Sequence, residues 1–219
     1  MSETSPDLGA GGAEADPEAE IVAAVAAIKA GRLVVLPTDT VYGVAADAFS
    51  PSAVNALLAA KGRGRNMPVP VLIGAVHTLE GVVSGVSPAA TALIEEFWPG
   101  GLSLVFRYPA SLRWDLGDSA GSVMVRMPDH PIALEMLRRT GPLGVSSANR
   151  SGYPPATTVV QARQQLGSAV AVYVDGGQTP GPVPSTIVDV SQPSSPPRIL
   201  RLGTISADEI RAVVPDVVG

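Results

Sequence analysis

The sequence predicts an α/β fold in which one sheet mixes parallel and antiparallel strands. Short apolar runs rich in Val, Ile and Leu interleave with helical patterns along the chain, instead of forming separate blocks of strands and helices. The runs 102–108 and 122–127 have no helix between them, which favours an antiparallel pair. Hydrophobic residues make up 46% of the 219 residues, and no stretch has the composition of a domain linker. We therefore expect one domain over residues 16–219.

Helices are predicted where a capping residue or a proline precedes a periodic apolar pattern. Asp16 is the predicted N-cap of the first helix, which begins at Pro17 and ends before Gly31. Similar signals predict helices from Pro51 to Ala60, from Pro88 to the Pro99-Gly100 pair, from Pro131 to Arg139, from Thr158 to Leu166, and after a capping box formed by Ser206 and Glu209.

Strands are predicted at the short apolar runs between these helices. The first ends at Pro37, so Thr38–Tyr42 is expected to form a loop at a strand end, where α/β sheets often bind ligands. A Pro- and Gly-rich stretch, Gly176–Pro184, is predicted to be a long loop inside the domain. The predicted strands cover residues 32–36, 69–73, 102–108, 122–127, 143–146, 170–174, 187–190 and 199–202.

Composition and charge exclude several classes of function. The formal net charge of −5 argues against non-specific nucleic-acid binding by the whole chain, although the run 61–65 is locally basic. The absence of cysteine excludes disulfides, thiolate metal sites and a cysteine nucleophile. The two histidines do not suggest a metal site, because His77 is predicted to lie in a plain loop and His130 at a helix start.

The N-terminal segment, residues 1–15, is mostly Gly, Ala, Ser and acidic residues and is predicted to be a disordered tail. It lacks the cationic and apolar regions of a secretory signal. No stretch of the chain approaches the roughly 18 apolar residues that a membrane helix needs. The expected location is therefore the cytoplasm, without a membrane partner.

Two polar segments, far apart in sequence, have the composition of one anion-binding site. The first is Pro37–Gly43, followed downstream by the run 61–65 with its three cations, and the second is Ser146–Gly152. Together they offer cations, hydroxyls and amides but no proton-transfer dyad, which favours a site that holds a polyphosphate. Asp39 in the first segment could pair with one of the cations rather than act as a base.

Familiar phosphate and nucleophile motifs are absent from the sequence. There is no Gly-Lys pair for a P-loop and no GxGxxG after a strand, and the segment 144–148 lacks the last glycine of a nucleophile elbow. A structural role also fits the candidates. Lys61 and Arg63 could be solvated cations at a helix end, and Ser147 and Asn149 could be ordinary turn residues.

Five motifs nevertheless follow one another in a specific order, which individually weak matches rarely do. They are Leu36-Pro-Thr-Asp-Thr-Val-Tyr-Gly43, Lys61-Gly-Arg63 before a proline and a strand, Val125-Arg126-Met-Pro128, Ser147-Ala-Asn149-x-Ser-Gly152, and Ser185-Thr-Ile-Val-Asp189. This succession, over about residues 20–203, resembles the YrdC-like family of threonylcarbamoyl-adenylate synthases in its short, single-domain form.

The resemblance implies a twisted open sheet around a basic groove. It also implies an enzyme that joins L-threonine, bicarbonate and ATP to give L-threonylcarbamoyl-adenylate and pyrophosphate. Mg²⁺ is expected to bind through the phosphates of ATP rather than at a protein metal site. The product would serve the threonylcarbamoylation of tRNA adenosine 37. Transferase proteins that receive the intermediate are then implied partners, and direct contact with tRNA is a further option.

Individual residues acquire roles from the same resemblance. Lys61 and Arg63 are the implied catalytic cations. The implied ATP-binding residues are Lys61, Arg63, Ser122, Ser147, Asn149 and Arg201. The implied threonine-binding residues are Thr40, Arg126 and Ser185, with Arg126 suited to the substrate carboxylate, and Arg32 and Tyr42 would help to line the groove.

One position departs from the family pattern, because Met67 precedes Pro68 where the family commonly has Lys or Asn. Arg65 or Asn66 could supply the polar contact that Met67 cannot.

Two other functions stay open at the level of the sequence. An RNA-binding module could use the same cations for a phosphate backbone. A carbamoyl-adenylate domain of a hydrogenase-maturation system is disfavoured, because zinc-finger cysteines and an acylphosphatase-like segment are missing.

Overall fold

A computed structural model describes residues 16–219, so the predicted disordered tail lies outside the described residues. The helices are α1 (Pro17–Lys29), α2 (Pro51–Lys61), α3 (Leu79–Val82), α4 (Pro88–Phe97), α5 (Pro131–Thr140), α6 (Val159–Leu166) and α7 (Ala207–Val213), with 3₁₀ turns at Val76–Thr78 and Gly167–Ala169. The strands are β1 (Val34–Leu36), β2 (Gly43–Asp47), β3 (Val71–Leu72), β4 (Leu102–Arg107), β5 (Ser122–Arg126), β6 (Leu143–Ser147), β7 (Val172–Tyr173), β8 (Thr186–Asp189) and β9 (Arg198–Arg201).

All strands join one mixed sheet with the order β7-β1-β2-β6-β3-β5-β4-β8-β9. The pairs β1–β7, β3–β5 and β4–β8 are parallel, and the other five pairs are antiparallel. The predicted antiparallel pairing of the runs 102–108 and 122–127 is confirmed, with Leu104 opposite Val125. The α/β class with a mixed sheet is therefore confirmed.

Capping explains where the helices stop and start. The Asp16 side chain accepts a hydrogen bond from the Glu18 amide at 3.0 Å, and the predicted capping box before α7 is present. Gly62 takes a left-handed conformation, with φ of 61°, that ends α2. Lys61 is consequently the last residue of α2, one residue beyond the predicted end, and Arg63 already lies outside the helix. None of the helices in residues 16–219 is long and apolar enough to cross a membrane.

Helices cover the two faces of the sheet unequally. Successive strand residues point to opposite faces, so Val35 belongs to the larger core cluster whereas Val34 and Leu36 belong to the smaller one. The smaller cluster joins α1 and α5 to residues of β1, β2, β3 and β6. Beyond this half, the same face of β4, β5 and β8 carries Ser103, Met124, Arg126 and Ile187, which line a cleft. The half-covered face is what creates a cavity beside the core.

Several sequence predictions of local structure were wrong. The strand β2 was not predicted, because Gly43-Val-Ala-Ala-Asp47 is rich in small residues and lacks a strong strand signal. His77 lies in the 3₁₀ turn Val76–Thr78 rather than in a plain loop. The predicted strands 69–73 and 170–174 shorten to two residues each. Gly176–Pro184 is a long loop, as predicted.

Candidate substrate-binding site

The cleft on the half-covered face has a volume of about 260 Å³ and is lined at its strand ends by polar residues. Segments that are far apart in sequence meet there, because β2 pairs with β6 and carries Thr38–Gly43 next to Ser146 and Ser147. Apolar side chains from Pro68, Leu72 and Val145 complete the wall. No Asp or Glu among the described residues lines the cleft.

Arg126, at the end of β5, is the most constrained cation of the cleft. Its side chain is buried, and its guanidinium donates to the Gly100 carbonyl at 2.8 Å, to the Thr40 hydroxyl at 2.9 Å and to Asp39 Oδ1 at 2.5 Å. Asp39 also accepts a hydrogen bond from the Asp129 amide. Its carboxylate is therefore the partner of Arg126 and of a backbone amide, and it is not free to act as a base. Three hydrogen bonds use three of the five N–H groups and leave two for a ligand.

A second guanidinium, that of Arg201 on β9, lies close to Arg126. Arg201 donates to the Ser185 carbonyl at 2.7 Å, and burial followed by the charge of Arg126 lowers its pKa. The Ser185 hydroxyl is 2.8 Å from the hydroxyl of Ser103. This end of the cleft therefore joins two arginines to the hydroxyls of Thr40, Ser103 and Ser185, a set suited to a small polar anion.

Lys61 lies behind the opposite wall of the cleft and is 3% exposed. Its ammonium donates to the carbonyl oxygens of Ser147 and, at 2.6 Å, Asn149. The Lys61 carbonyl accepts from the Ser151 amide at 2.8 Å, so the end of α2 and the loop after β6 are joined twice. Burial, and then the charge of Arg63, lower the pKa of Lys61 from its ordinary value to about 8.

Arg63 reaches the cleft from just beyond α2. It donates to the carbonyls of Met67 at 2.8 Å and Pro68 at 3.1 Å, and to the Ser146 hydroxyl at 3.1 Å. Burial lowers its pKa. The departure at Met67 thus leaves the Arg63 contact intact, because the backbone and not the side chain of Met67 holds the guanidinium.

Ser147 and Asn149 take different positions in the loop after β6. Ser147 lines the cleft. The Asn149 side chain is buried and its amide donates to the carbonyls of Arg150 and Tyr153, at 2.9 and 2.7 Å. Its Oδ1 atom is buried without a hydrogen-bond partner among the described residues.

Of the other predicted residues, Ser122 and Arg32 lie outside the cavity lining and Tyr42 lies within it. The Ser122 hydroxyl donates to the Ser119 carbonyl at 2.7 Å, although Ser122 shares its face of β5 with Met124 and Arg126. Arg32 is exposed. Tyr42 contributes to the lining, but its hydroxyl points to the Gly177 carbonyl at 2.6 Å and anchors the loop after β7.

Arg65 does not replace the missing polar side chain at position 67. It forms ion pairs with Asp115 and, at 3.5 Å, Asp118, and these groups are exposed. Ser103 and Ser146 both line the cleft; the sequence motifs gave Ser103 no role and included Ser146 only as the first residue of the second anion-binding segment. A single serine inside the apolar run Leu102-Ser-Leu-Val-Phe106 was the available signal for Ser103.

Fold and cleft together define a class: α/β proteins with a cation-lined cleft at the strand ends of a mixed sheet. The model of the Sua5/YciO/YrdC family, described as "Telomere recombination", matches residues 26–203. This chain belongs to that family.

Several relatives of this chain are named as threonylcarbamoyl-AMP synthases, and one solved relative binds L-threonine. A Mycobacterium tuberculosis protein with a provisional threonylcarbamoyl-AMP synthase name is 57% identical over 91% of this chain and 93% of its own. The threonylcarbamoyl-AMP synthase of Bacillus subtilis is 36% identical over 89% of this chain and 56% of its own. The structure of Pyrococcus abyssi Sua5 complexed with L-threonine matches with a TM-score of 0.86 and 32% identity, over 93% of this chain and 60% of that one.

We predict that Asp39→Asn destabilises the fold by about 2–3 kcal/mol, because it leaves the Arg126 charge buried without its carboxylate. The matched control is Asp115→Asn, which breaks an exposed pair with Arg65 and should cost less than about 1 kcal/mol. Urea unfolding of both variants measures the difference. Equal losses would show that Arg126 does not depend on Asp39.

Proposed function

We propose that this chain is an ATP-dependent synthase that makes L-threonylcarbamoyl-adenylate from L-threonine and bicarbonate. The observation that carries the proposal is the cleft itself, where Arg63, Arg126 and Arg201 line one cavity without a lining carboxylate and Lys61 is buried behind its wall. Both substrates and ATP are anionic or carry a carboxylate, so they would supply the charge that the cleft lacks.

The end of the cleft formed by Thr40, Arg126 and Ser185 would bind threonine. Arg126 keeps two free N–H groups, which match a carboxylate held in bidentate fashion. The support from outside this chain is the threonine complex of the Pyrococcus abyssi relative.

The opposite end, with Lys61, Arg63, Ser147 and Asn149, would bind ATP. Arg201, at the threonine end, and Ser122, on the cleft face of β5, are proposed as further nucleotide contacts. The Lys61 ammonium has three N–H groups, of which two are used on carbonyls. Lys61 and Arg63 would act as the catalytic cations by stabilising charge on the phosphates during transfer. Mg²⁺ would enter the site on the phosphates of ATP.

The proposed chemistry needs no protein base at the adenylation step. Threonine and bicarbonate combine with loss of water to an N-carboxylate, whose oxygen attacks the α-phosphorus while the bond to the β-phosphate breaks and pyrophosphate leaves. The nucleophile is already an anion, so the main obstacles are repulsion between anions and the loss of freedom. Fixed cations would reduce the repulsion and hold the reactants in place. No base is then needed, which agrees with the use of Asp39 as the partner of Arg126.

The product is proposed to serve the modification of tRNA adenosine 37 through transferase partners. An RNA-binding module is the weaker alternative. Lys61 and Arg126 are buried, and exposed Arg65 is neutralised by Asp115 and Asp118, so Arg65 does not extend the cations of the cleft into an exposed basic track. A cytoplasmic location remains part of the proposal.

Threonine-dependent release of pyrophosphate from Mg-ATP and bicarbonate tests the function. Arg63→Ala and Lys61→Ala should each lower this rate by about 100- to 1000-fold, since each removes a charged contact to the transferring phosphate. Arg65→Ala is the matched control and should stay close to wild type, because its ion pairs are exposed. ATP consumption that is equal with and without threonine would refute the synthase.

The pKa of Lys61 predicts how ATP binding depends on pH. The ammonium is the charged form and is populated below pH 8, so affinity should be constant at lower pH and fall as the pH rises through about 8. Loss of one bound proton predicts a slope of about tenfold per pH unit above that value. Calorimetric titration with Mg-ATP measures this slope. Lys61→Arg, which stays charged, should flatten it, and a wild-type profile flat to pH 9.5 would contradict the role of Lys61.

A further inference from the structure

We infer that Ser103, through its hydroxyl pair with Ser185, determines specificity by recognising the side-chain hydroxyl of the amino-acid substrate. The inference rests on the proposed function, because it assigns a place in the cleft to one group of threonine. It starts from a residue to which the family resemblance gives no role.

Ser103 lies on the cleft face of β4, although β4 is otherwise a strand of the core. Leu102, Leu104 and Phe106 point into the larger core cluster, and Ser103 points to the opposite face. Ser103 is only 3% exposed. A hydroxyl at such a position has a desolvation cost that an apolar residue would avoid, so a polar partner is expected.

The pair leaves hydrogen-bonding capacity unused. The Ser103 and Ser185 hydroxyls are 2.8 Å apart, and neither side chain has another hydrogen bond among residues 16–219. One hydroxyl donates to the other, so one hydroxyl hydrogen and at least two lone pairs remain free. The remaining hydrogen can donate and the lone pairs can accept, which is what a substrate hydroxyl needs.

The pair stands beside the proposed carboxylate site. Ser103 and Arg126 lie on neighbouring antiparallel strands, one residue beyond the Leu104–Val125 pair, and both line the cleft. Side chains at such cross-strand positions have Cβ atoms about 5 Å apart. A carboxylate on Arg126 would therefore place the β-carbon substituents of a bound amino acid near the two serines.

Threonine and valine differ at this point by one group only. Valine has a methyl where threonine has its hydroxyl, so it has nearly the same shape and would leave the serine pair without its partner. Sites built to bind a substrate hydroxyl reject an analogue without it far more strongly than apolar pockets distinguish methyl groups. The serine pair thus gives the cleft a means of preferring threonine to valine.

The experiment compares kcat/KM for pyrophosphate release with L-threonine, L-valine and L-serine in three enzymes. Besides wild type, these are Ser103→Thr and Ser103→Val, which have matched volume and differ in the hydroxyl alone. We expect Ser103→Val to lower the preference for threonine over valine by about 10- to 100-fold and Ser103→Thr to retain it. The preference for threonine over serine should stay unchanged, because both substrates carry the hydroxyl.

If Ser103→Val lowers kcat/KM for threonine and for valine by the same factor, the inference is overturned, since replacing a purely structural serine lowers both alike. Ser103→Ala, which adds no volume to the cleft, repeats the comparison if the valine variant does not fold. A wild-type enzyme without threonine-dependent pyrophosphate release refutes the proposed function and this inference together. A wild type that is active, with unchanged selectivity in all variants, refutes the inference alone.

Discussion

Positive charge that is gathered in and behind one cleft without matching carboxylates is the constraint on which the cleft depends. Lys61, Arg63, Arg126 and Arg201 all have pKa values lowered mainly by burial, and Asp39 is the one carboxylate bonded to any of them within residues 16–219. Backbone carbonyls accept hydrogen bonds from several of their other N–H groups without neutralising the charge. These carbonyls belong to Gly100, Ser147, Asn149, Met67, Pro68 and Ser185. The site is therefore rigid and hydrogen-bonded while it still favours an anion.

The topology of the sheet supplies the place for these charges. Helices α1 and α5 cover one half of a face, and the strands β5, β4 and β8 continue that face without them. The order of the strands brings the loop before β2 next to the end of β6, and β5 next to β4. Since the cations sit on strand ends and on the end of α2, the core that holds the fold also fixes the spacing of the charges.

Much of this was accessible from the sequence, for identifiable reasons. Capping residues and prolines located α1, α2, α4 and α7, because those signals act within a few residues. The strand β2 was not predicted, because its small residues carry no periodic pattern and only its pairing with β1 and β6 makes it a strand. The order of motifs indicated which polar residues to consider, but a sequence does not show that Arg126 contacts Asp39 across 87 positions. The pairing of Ser103 could not be predicted for the same reason, since its partner Ser185 is 82 residues away.

The same physical constraint separates the synthase from a hydrolase or an RNA-binding module. A hydrolase needs a base free to accept a proton, yet the Asp39 carboxylate is committed to Arg126 and to the Asp129 amide. An RNA-binding surface needs an extended track of exposed cations, whereas Arg126 lies in a cavity of about 260 Å³ and Lys61 lies behind its wall. Under the proposed function, a small anionic nucleophile and a nucleotide would supply charge where the protein leaves it unbalanced. No carboxylate of the described residues lines the cleft, which is consistent with a reaction whose nucleophile is already ionised.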